Sequence, residues 1–362
     1  MSEPNQNLID DVDRNGWPPG EVQRTREGGT SIPLSILDLA PIRRGETAND
    51  SFRASVKLAQ RAEQLGYRRV WYAEHHNIAS IASSATSVLI AHVAANTAEI
   101  RLGAGGIMLP NHSPLTIAEQ FGTLESLHPG RIDLGLGRAP GSDQSTMRAL
   151  RRNGASAERF PEDVLELQGY LGAETLIPGV EATPGKGTNV PLYILGSSMF
   201  GAALAATLGL PYAFASHFAP DMLQEAVAAY RGRFQPSAQL DRPHVIAGIN
   251  VIAADTSGEA QEQLLAAKRG RVSALLGRGK TFTDEEADAI LASPGGLHVL
   301  QMLTYSAVGT ASEVREYIDA FAEHADADEL ITVHPSPTAA TRLRSVELLA
   351  ESSLRDLAVA TG

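Results

Sequence analysis

The feature that most constrains this chain is an alternation. Short apolar runs, dense in Ile, Leu and Val, recur between longer segments with helical periodicity. The strand-like runs are Ile32–Leu39, Arg69–Ala73, Ile100–Gly105, Ile132–Leu136, Leu192–Leu195, Tyr212–Ala215, Val245–Ile252 and Leu330–Val333. They show little polar alternation, as strands buried on both faces do. Helix-like segments lie between them at Asp50–Leu65, Ser84–Asn96, Leu115–Leu127, Phe200–Leu208, Pro220–Phe234 and Ser257–Val272. Asp50, and Asp255 or Thr256, are placed to cap helix starts, and Gly66 and Gly209 to end helices. Eight such repeats in 362 residues predict an α/β chain of the (β/α)8 TIM-barrel type with insertions.

This rhythm sets the expected domain organisation. Residues 1–30 are polar and read as a surface arm, and residues 31–360 as a single barrel domain. Insertions are expected at about 175–190, rich in Gly, Pro and Thr, and at about 273–305, which carries Gly277, Gly279, Pro294, Gly295 and Gly296. A long glycine-bearing excursion on a barrel reads as a lid or substrate wall.

Composition removes several function classes. With no cysteine, disulfides, thiolate metal sites and cysteine nucleophiles are excluded. Thirty basic residues against 42 acidic ones, a net charge of -12, argue against nucleic acid or an anionic membrane as partner. No apolar run approaches the roughly 18 residues of a membrane span. The N-terminus lacks the charged-then-apolar pattern of a secretory signal, so a cytoplasmic protein is expected.

The ends of the strand-like runs carry the chemistry, and in barrel enzymes the strand C-termini build the active site. After the second run comes Glu74-His75-His76. Adjacent histidines on a strand point to opposite sides, so both can face one pocket only if the strand has ended. His75 or His76 reads as a general base or polar wall, or as a loop histidine held by hydrogen bonds. The spacing does not suit a metal, and no metal site is expected. After the third run, Gly103-Ala104-Gly105-Gly106 clears side chains where a flat ligand could lie on backbone, or merely packs tightly.

The fourth run ends in Gly135-Leu136-Gly137-Arg138. Its spacing is not a dinucleotide fingerprint. Arg138 can clamp a phosphate, as can Arg159 ahead of Phe160-Pro161-Glu162-Asp163, although either could form a surface salt bridge. Gly196-Ser197-Ser198-Met199-Phe200-Gly201 offers free N–H groups at a helix start together with two hydroxyls. That makes a phosphate nest, with a nucleophilic serine or a plain helix cap as competing readings. The nucleophile is disfavoured because Gly-x-Ser-x-Gly is absent.

Taken together, these residues resemble the bacterial luciferase-like flavin-dependent monooxygenases. The resemblance spans about Pro33 to Leu357. It rests on Glu74-His75-His76, Leu109-Pro110, Ala118-Glu119-Gln120, Pro129-Gly130-Arg131 leading to Gly137-Arg138, and Gly209-Leu210-Pro211. The nearest group is the single-chain, FMN-dependent luciferase-like oxidoreductases. The resemblance implies a monooxygenase acting on paired donors. It would use reduced FMN and O2 through a C4a-(hydro)peroxyflavin to oxidise a small organic substrate. NAD(P)H would supply electrons directly or through a separate flavin reductase.

The same resemblance implies a homodimer, with His75 and His76 catalytic and Glu74 on the same wall. A non-proline cis peptide at Gly105-Gly106 would support the flavin ring. Arg138, Arg159, Ser197, Ser198 and Gly201 would hold the phosphate. This chain departs from luciferase in three places. Gly137 replaces a reactive cysteine, Ser197 a glutamate, and Gly201 a hydroxyl-bearing residue. An F420-dependent oxidoreductase and a non-catalytic flavin-binding protein are alternatives on the same barrel. The Glu-His-His pattern leans towards FMN.

Overall fold

A computed structural model describes residues 32–139, 143–277, 280 and 282–360, with no side-chain description for 352–360. The expected N-terminal arm lies outside the described residues. The described residues divide into two compact units, the larger formed by 34–214 and 225–246, the smaller by 32–33, 215–224 and 247–360.

The larger unit is a run of βα repeats. Strand β1 (Leu34–Asp38) leads to α1 (Ala48–Gln64), β2 (Arg69–Tyr72), α2 (Thr86–Ala94), β3 (Arg101–Met108) and α3 (Pro114–Leu127). Then come β4 (Ile132–Gly137), α4 (Gln144–Ala149), α5 (Phe160–Leu171), β5 (Leu192–Gly196), α6 (Met199–Leu208) and β6 (Tyr212–Phe214), with α7 (Leu223–Arg233) beyond. Each strand from β1 to β6 pairs in parallel with the next. Every residue of β2 and β4 is buried, which accounts for their lack of alternation.

Local chemistry sets the helix ends. Thr47, not Asp50, caps α1: its hydroxyl accepts from the Asp50 N–H while the Asp50 carboxylate accepts from the Thr47 N–H. Asp50 is thus the third helical residue of a capping box, a place that suits a carboxylate as well as the cap does. Thr256 caps the helix for which Asp255 was the other candidate. Gly209 ends α6 in the left-handed region, at φ 64°.

At the starting ends of the strands lies a buried polar knot. The Arg69 guanidinium donates to Asp133 Oδ2 at 2.8 Å and to the Tyr193 hydroxyl at 2.7 Å. Trp71 Nε1 donates to the same Asp133 oxygen at 3.1 Å. Arg101 adds Nε to Asp133 Oδ1 at 3.0 Å. Four neighbouring strands are thereby stitched through one carboxylate.

In the smaller unit the chain follows β7 (Val245–Ala253), α8 (Ser257–Leu276), α9 (Asp284–Leu291), α10 (Pro294–Gln301), β8 (Ser306–Gly309), α11 (Ala311–His324), β9 (Glu329–Val333) and α12 (Ala339–Ala360). Strand β8 pairs in parallel with β7, in the register Asn250 to Ser306 through Ala253 to Gly309. The expected insertion 273–305 is built as the last turn of α8 followed by α9 and α10. It has its own small core of Val272, Ala287 and Val299, with Phe282, Ile290 and Leu291 packed against it. Thr175–Val190 forms turns, with a cis bond at Thr183-Pro184. No helix among the described residues is long and apolar enough to cross a membrane.

Candidate functional site

The candidate site belongs to the larger unit and grows from the ends of β2 to β5. Strand β2 stops at Tyr72, so Glu74, His75 and His76 lie beyond the pleat and are freed from its alternation. Glu74 turns inward and is 1% exposed. It accepts from His76 Nε2 at 2.8 Å and from His112 Nε2 at 2.9 and 3.0 Å through its two oxygens. It also accepts from the Met108 backbone N–H at 3.0 Å and, more weakly, from Asn111 Nδ2 at 3.4 Å. These hydrogen bonds and imidazoles outweigh burial, which alone would raise its pKa, and hold the carboxyl below its ordinary range. Glu74 is therefore ionised at neutral pH.

His75 behaves differently. It is half-buried, and its Nδ1 is buried with no hydrogen-bond partner among the described residues. Burial pulls its pKa below the usual histidine value, and neighbouring His76 pulls the same way against the attraction of Glu74. The ring is neutral at neutral pH, with an unused polar atom.

Strand β3 ends in the Gly105-Gly106 peptide, which is cis. The β3–β4 register shifts between Ala104 and Ile107, at this same place. A Cβ on Gly105 would stand 2.8 Å from Leu37 Cδ1, and one on Gly106 would stand 2.7 Å from the Gly135 carbonyl oxygen. Close packing of the neighbouring strands therefore requires both glycines. Beyond β3, a 3-10 turn at Leu109–Asn111 delivers His112 to Glu74. Arg152 Nε donates to the Asn111 carbonyl at 3.2 Å, and Asn77 Nδ2 to Asp143 at 3.0 Å. The segments after β2, β3 and β4 are tied by these bonds.

Beyond the fifth strand lies the turn that the sequence marks as a phosphate nest. Ser198 precedes α6 in extended conformation, and its side chain makes no cap hydrogen bond. The first N–H groups of α6 are left for another acceptor, with no acidic residue in the first turn to compete. The Tyr212 hydroxyl fixes the turn by donating to the Ser198 carbonyl at 3.1 Å. A Cβ on Gly201 would press on the Tyr212 ring at 3.3 Å, so glycine there keeps α6 seated on β6. Arg138, exposed at the end of β4, lies over the Phe200 ring at 4.1 Å. A cation and an open helix start therefore stand side by side, and a phosphate fits that donor set.

Arg159 is placed otherwise. It stands at the N-cap of α5, its side chain 70% exposed, with Nε 3.6 Å from Asp163 Oδ1. The structure thus gathers Glu74 and His76, and separately Arg138 with the Ser197–Gly201 turn through Phe200. It gives Arg159 an ion pair within its own helix. His112 was not singled out from the sequence. The available signal was a polar Asn-His pair directly after an apolar strand. Among the described residues, no group of three or more His, Asp or Glu side chains is arranged to hold a metal ion.

The chain is similar to known proteins over most of its length. The family described as luciferase-like monooxygenase matches residues 32–328. A relative of that same description from Escherichia coli strain K12 is 48% identical over 323 residues, spanning 88% of this chain and 96% of the relative. A crystal structure of apo-MsnO8 is 34% identical with a TM-score of 0.79, covering 89% of this chain and 98% of that one. At 18% identity, the oxygenating constituent of 3,6-diketocamphane monooxygenase from Pseudomonas putida shares the fold. That type II Baeyer-Villiger enzyme was solved in complex with FMN, with a TM-score of 0.66 and coverage of 89% and 97%.

Proposed function

The chain belongs to the luciferase-like monooxygenase family and has its (β/α)8 TIM-barrel fold, and from that premise we propose that it oxidises a small organic substrate with reduced FMN and O2. The observation that carries the choice of FMN is the Arg138 guanidinium, held over Phe200 beside the uncapped start of α6. It supplies a fixed positive charge next to unspent N–H donors, which suits a terminal phosphate. Ser197 and Ser198 add hydroxyls to this cradle, and Gly201 keeps its floor low. Arg159, whose own side chain is 70% exposed, would join by swinging away from the buried Asp163 carboxylate.

Bound reduced FMN would supply the electrons that activate oxygen, because in such enzymes the cofactor carries the hard chemistry. The protein's share is to bind, orient and exclude water. Gly105 and Gly106 present bare backbone to the ring, and the Glu74 cluster forms a polar wall. His75, neutral and with a buried, unspent Nδ1, can take or hold one proton beside the reacting atoms. NAD(P)H is the electron source in this reading, used directly or through a separate reductase, and the working unit is a homodimer.

The test compares FMN with riboflavin, which lacks the phosphate. Replacing Arg138 with Ala should weaken FMN by about 10- to 100-fold, the usual worth of a hydrogen bond to a charged group, and leave riboflavin nearly unchanged. Equal loss for both flavins would mean that Arg138 does not meet the phosphate. Arg159→Ala, run in parallel, reports whether Arg159 shares the task.

A further inference from the structure

Arg152 is a half-buried arginine with no counter-charge. Its Nε donates to the Asn111 carbonyl at 3.2 Å, and its terminal nitrogens make no hydrogen bond or ion pair among the described residues. The buried Asn111 amide donates in turn to Glu74. The guanidinium therefore stands one residue out from the Glu74 carboxylate without pairing with it.

The backbone is fixed on both sides of Arg152. The Arg151 and Arg152 N–H groups donate to the Arg148 and Met147 carbonyls at 3.0 and 2.9 Å, and Arg151 lies in the left-handed region at φ 57°. This closes the end of α4 in the way that helices commonly end. The Asn153 side chain then accepts from the Ala155 N–H at 3.1 Å and caps the next turn. A guanidinium carried between two closed turns and tied through Nε is oriented before any ligand arrives. Local charge points the same way. Residues 138–159 hold five arginines against Asp143 and Glu158, in a chain whose net charge is -12. Asp143 is already engaged, by the Ser145 and Thr146 N–H groups and by Asn77.

We propose that Arg152 binds a carboxylate on the organic substrate, so that small organic acids are the substrate class. This rests on the monooxygenase reading and narrows it. With Nε used, the two terminal nitrogens form a planar edge that matches the two oxygens of a carboxylate. The flavin phosphate is the other oxyanion in that reading. Its proposed cradle is Arg138 with the start of α6, whereas Arg152 hangs from the turn beyond β3 that delivers His112 to Glu74. The two anion sites are thus carried by different strand ends, and the substrate's acid group meets the Glu74 side.

The test begins on the free protein, without flavin. The probes are straight-chain carboxylates from butanoate to octanoate, each set against its own amide, which keeps the shape and loses the charge. The acids should shift the Arg152 Nε–H resonance and bind about 10- to 100-fold more tightly than the amides, as a hydrogen-bonded charge allows. Arg152→Gln should abolish that preference, and Arg152→Lys, which keeps the charge without the fork, should restore only part of it. Arg152→Gln should also keep the ratio of FMN to riboflavin affinity within about threefold of wild type. A larger fall in that ratio would give Arg152 to the flavin phosphate and overturn the inference. No preference for acids in the wild-type protein, whether both classes bind equally or neither binds, would overturn it without any variant. So would a preference that survives Arg152→Gln unchanged. Failure of the wild-type protein to bind FMN would remove the monooxygenase reading while leaving the comparison of acids with amides to decide the carboxylate site.

Discussion

His75 and His76 are neighbours in the chain and opposites in surroundings. His76 spends its Nε2 on Glu74, whereas His75 keeps a buried nitrogen with no partner among the described residues. An unsatisfied buried atom costs about 1–3 kcal/mol, and a site that binds a reacting group can recover that cost. Replacing His75 with Ala should leave FMN affinity nearly intact and slow product formation by about 10²- to 10⁴-fold, the usual share of general acid–base catalysis. Because burial depresses the His75 pKa, the neutral ring persists as pH falls through 6.5, and the acid limb of activity should lie below that value. Rates in the variant equal to wild type would take His75 out of the mechanism. The Glu-His-His run was legible as a candidate site because ionisable residues directly follow an apolar strand. His112 was not, since sequence spacing cannot show that two strand ends 38 positions apart share one carboxylate.

At the scale of elements, periodicity placed eight strands and six helices to within a few residues, and left the helices of 284–301, 311–324 and 339–360 without a range. It missed β8, because Ser306–Gly309 holds a single β-branched residue and directly follows a segment that reads as an insertion. It also took Asp50 for a cap, since sequence alone does not say whether Thr47 or Asp50 starts the helix when the two exchange hydrogen bonds. The knot at Asp133 left no motif at all: its members are scattered over four strands and meet only when the sheet forms. Its weight can be measured. Asp133→Ala would strand the Arg69 guanidinium, which is 1% exposed, without its counter-charge. Breaking a buried pair in this way costs about 3–5 kcal/mol, and urea denaturation should show a loss of that size. A loss under about 1 kcal/mol would mean the knot contributes no more than a surface pair.

For the molecule as a whole, the order of strands and helices was the strongest message in the sequence, because each parallel strand needs a crossover helix and each crossover must bury an apolar face. Cofactor identity is harder to read at this scale. The fold is shared with proteins that use different flavins, so the decision falls to the few groups that meet the cofactor's tail. In the FMN reading those groups are Arg138 and the start of α6, which would meet a terminal phosphate. The most direct test is therefore equilibrium binding of reduced FMN, riboflavin and F420 to the purified wild-type chain under anaerobic conditions. The account predicts that FMN binds at least about tenfold more tightly than riboflavin, about 1.4 kcal/mol, and more tightly than F420. Tighter binding of F420, or equal binding of FMN and riboflavin, would contradict it.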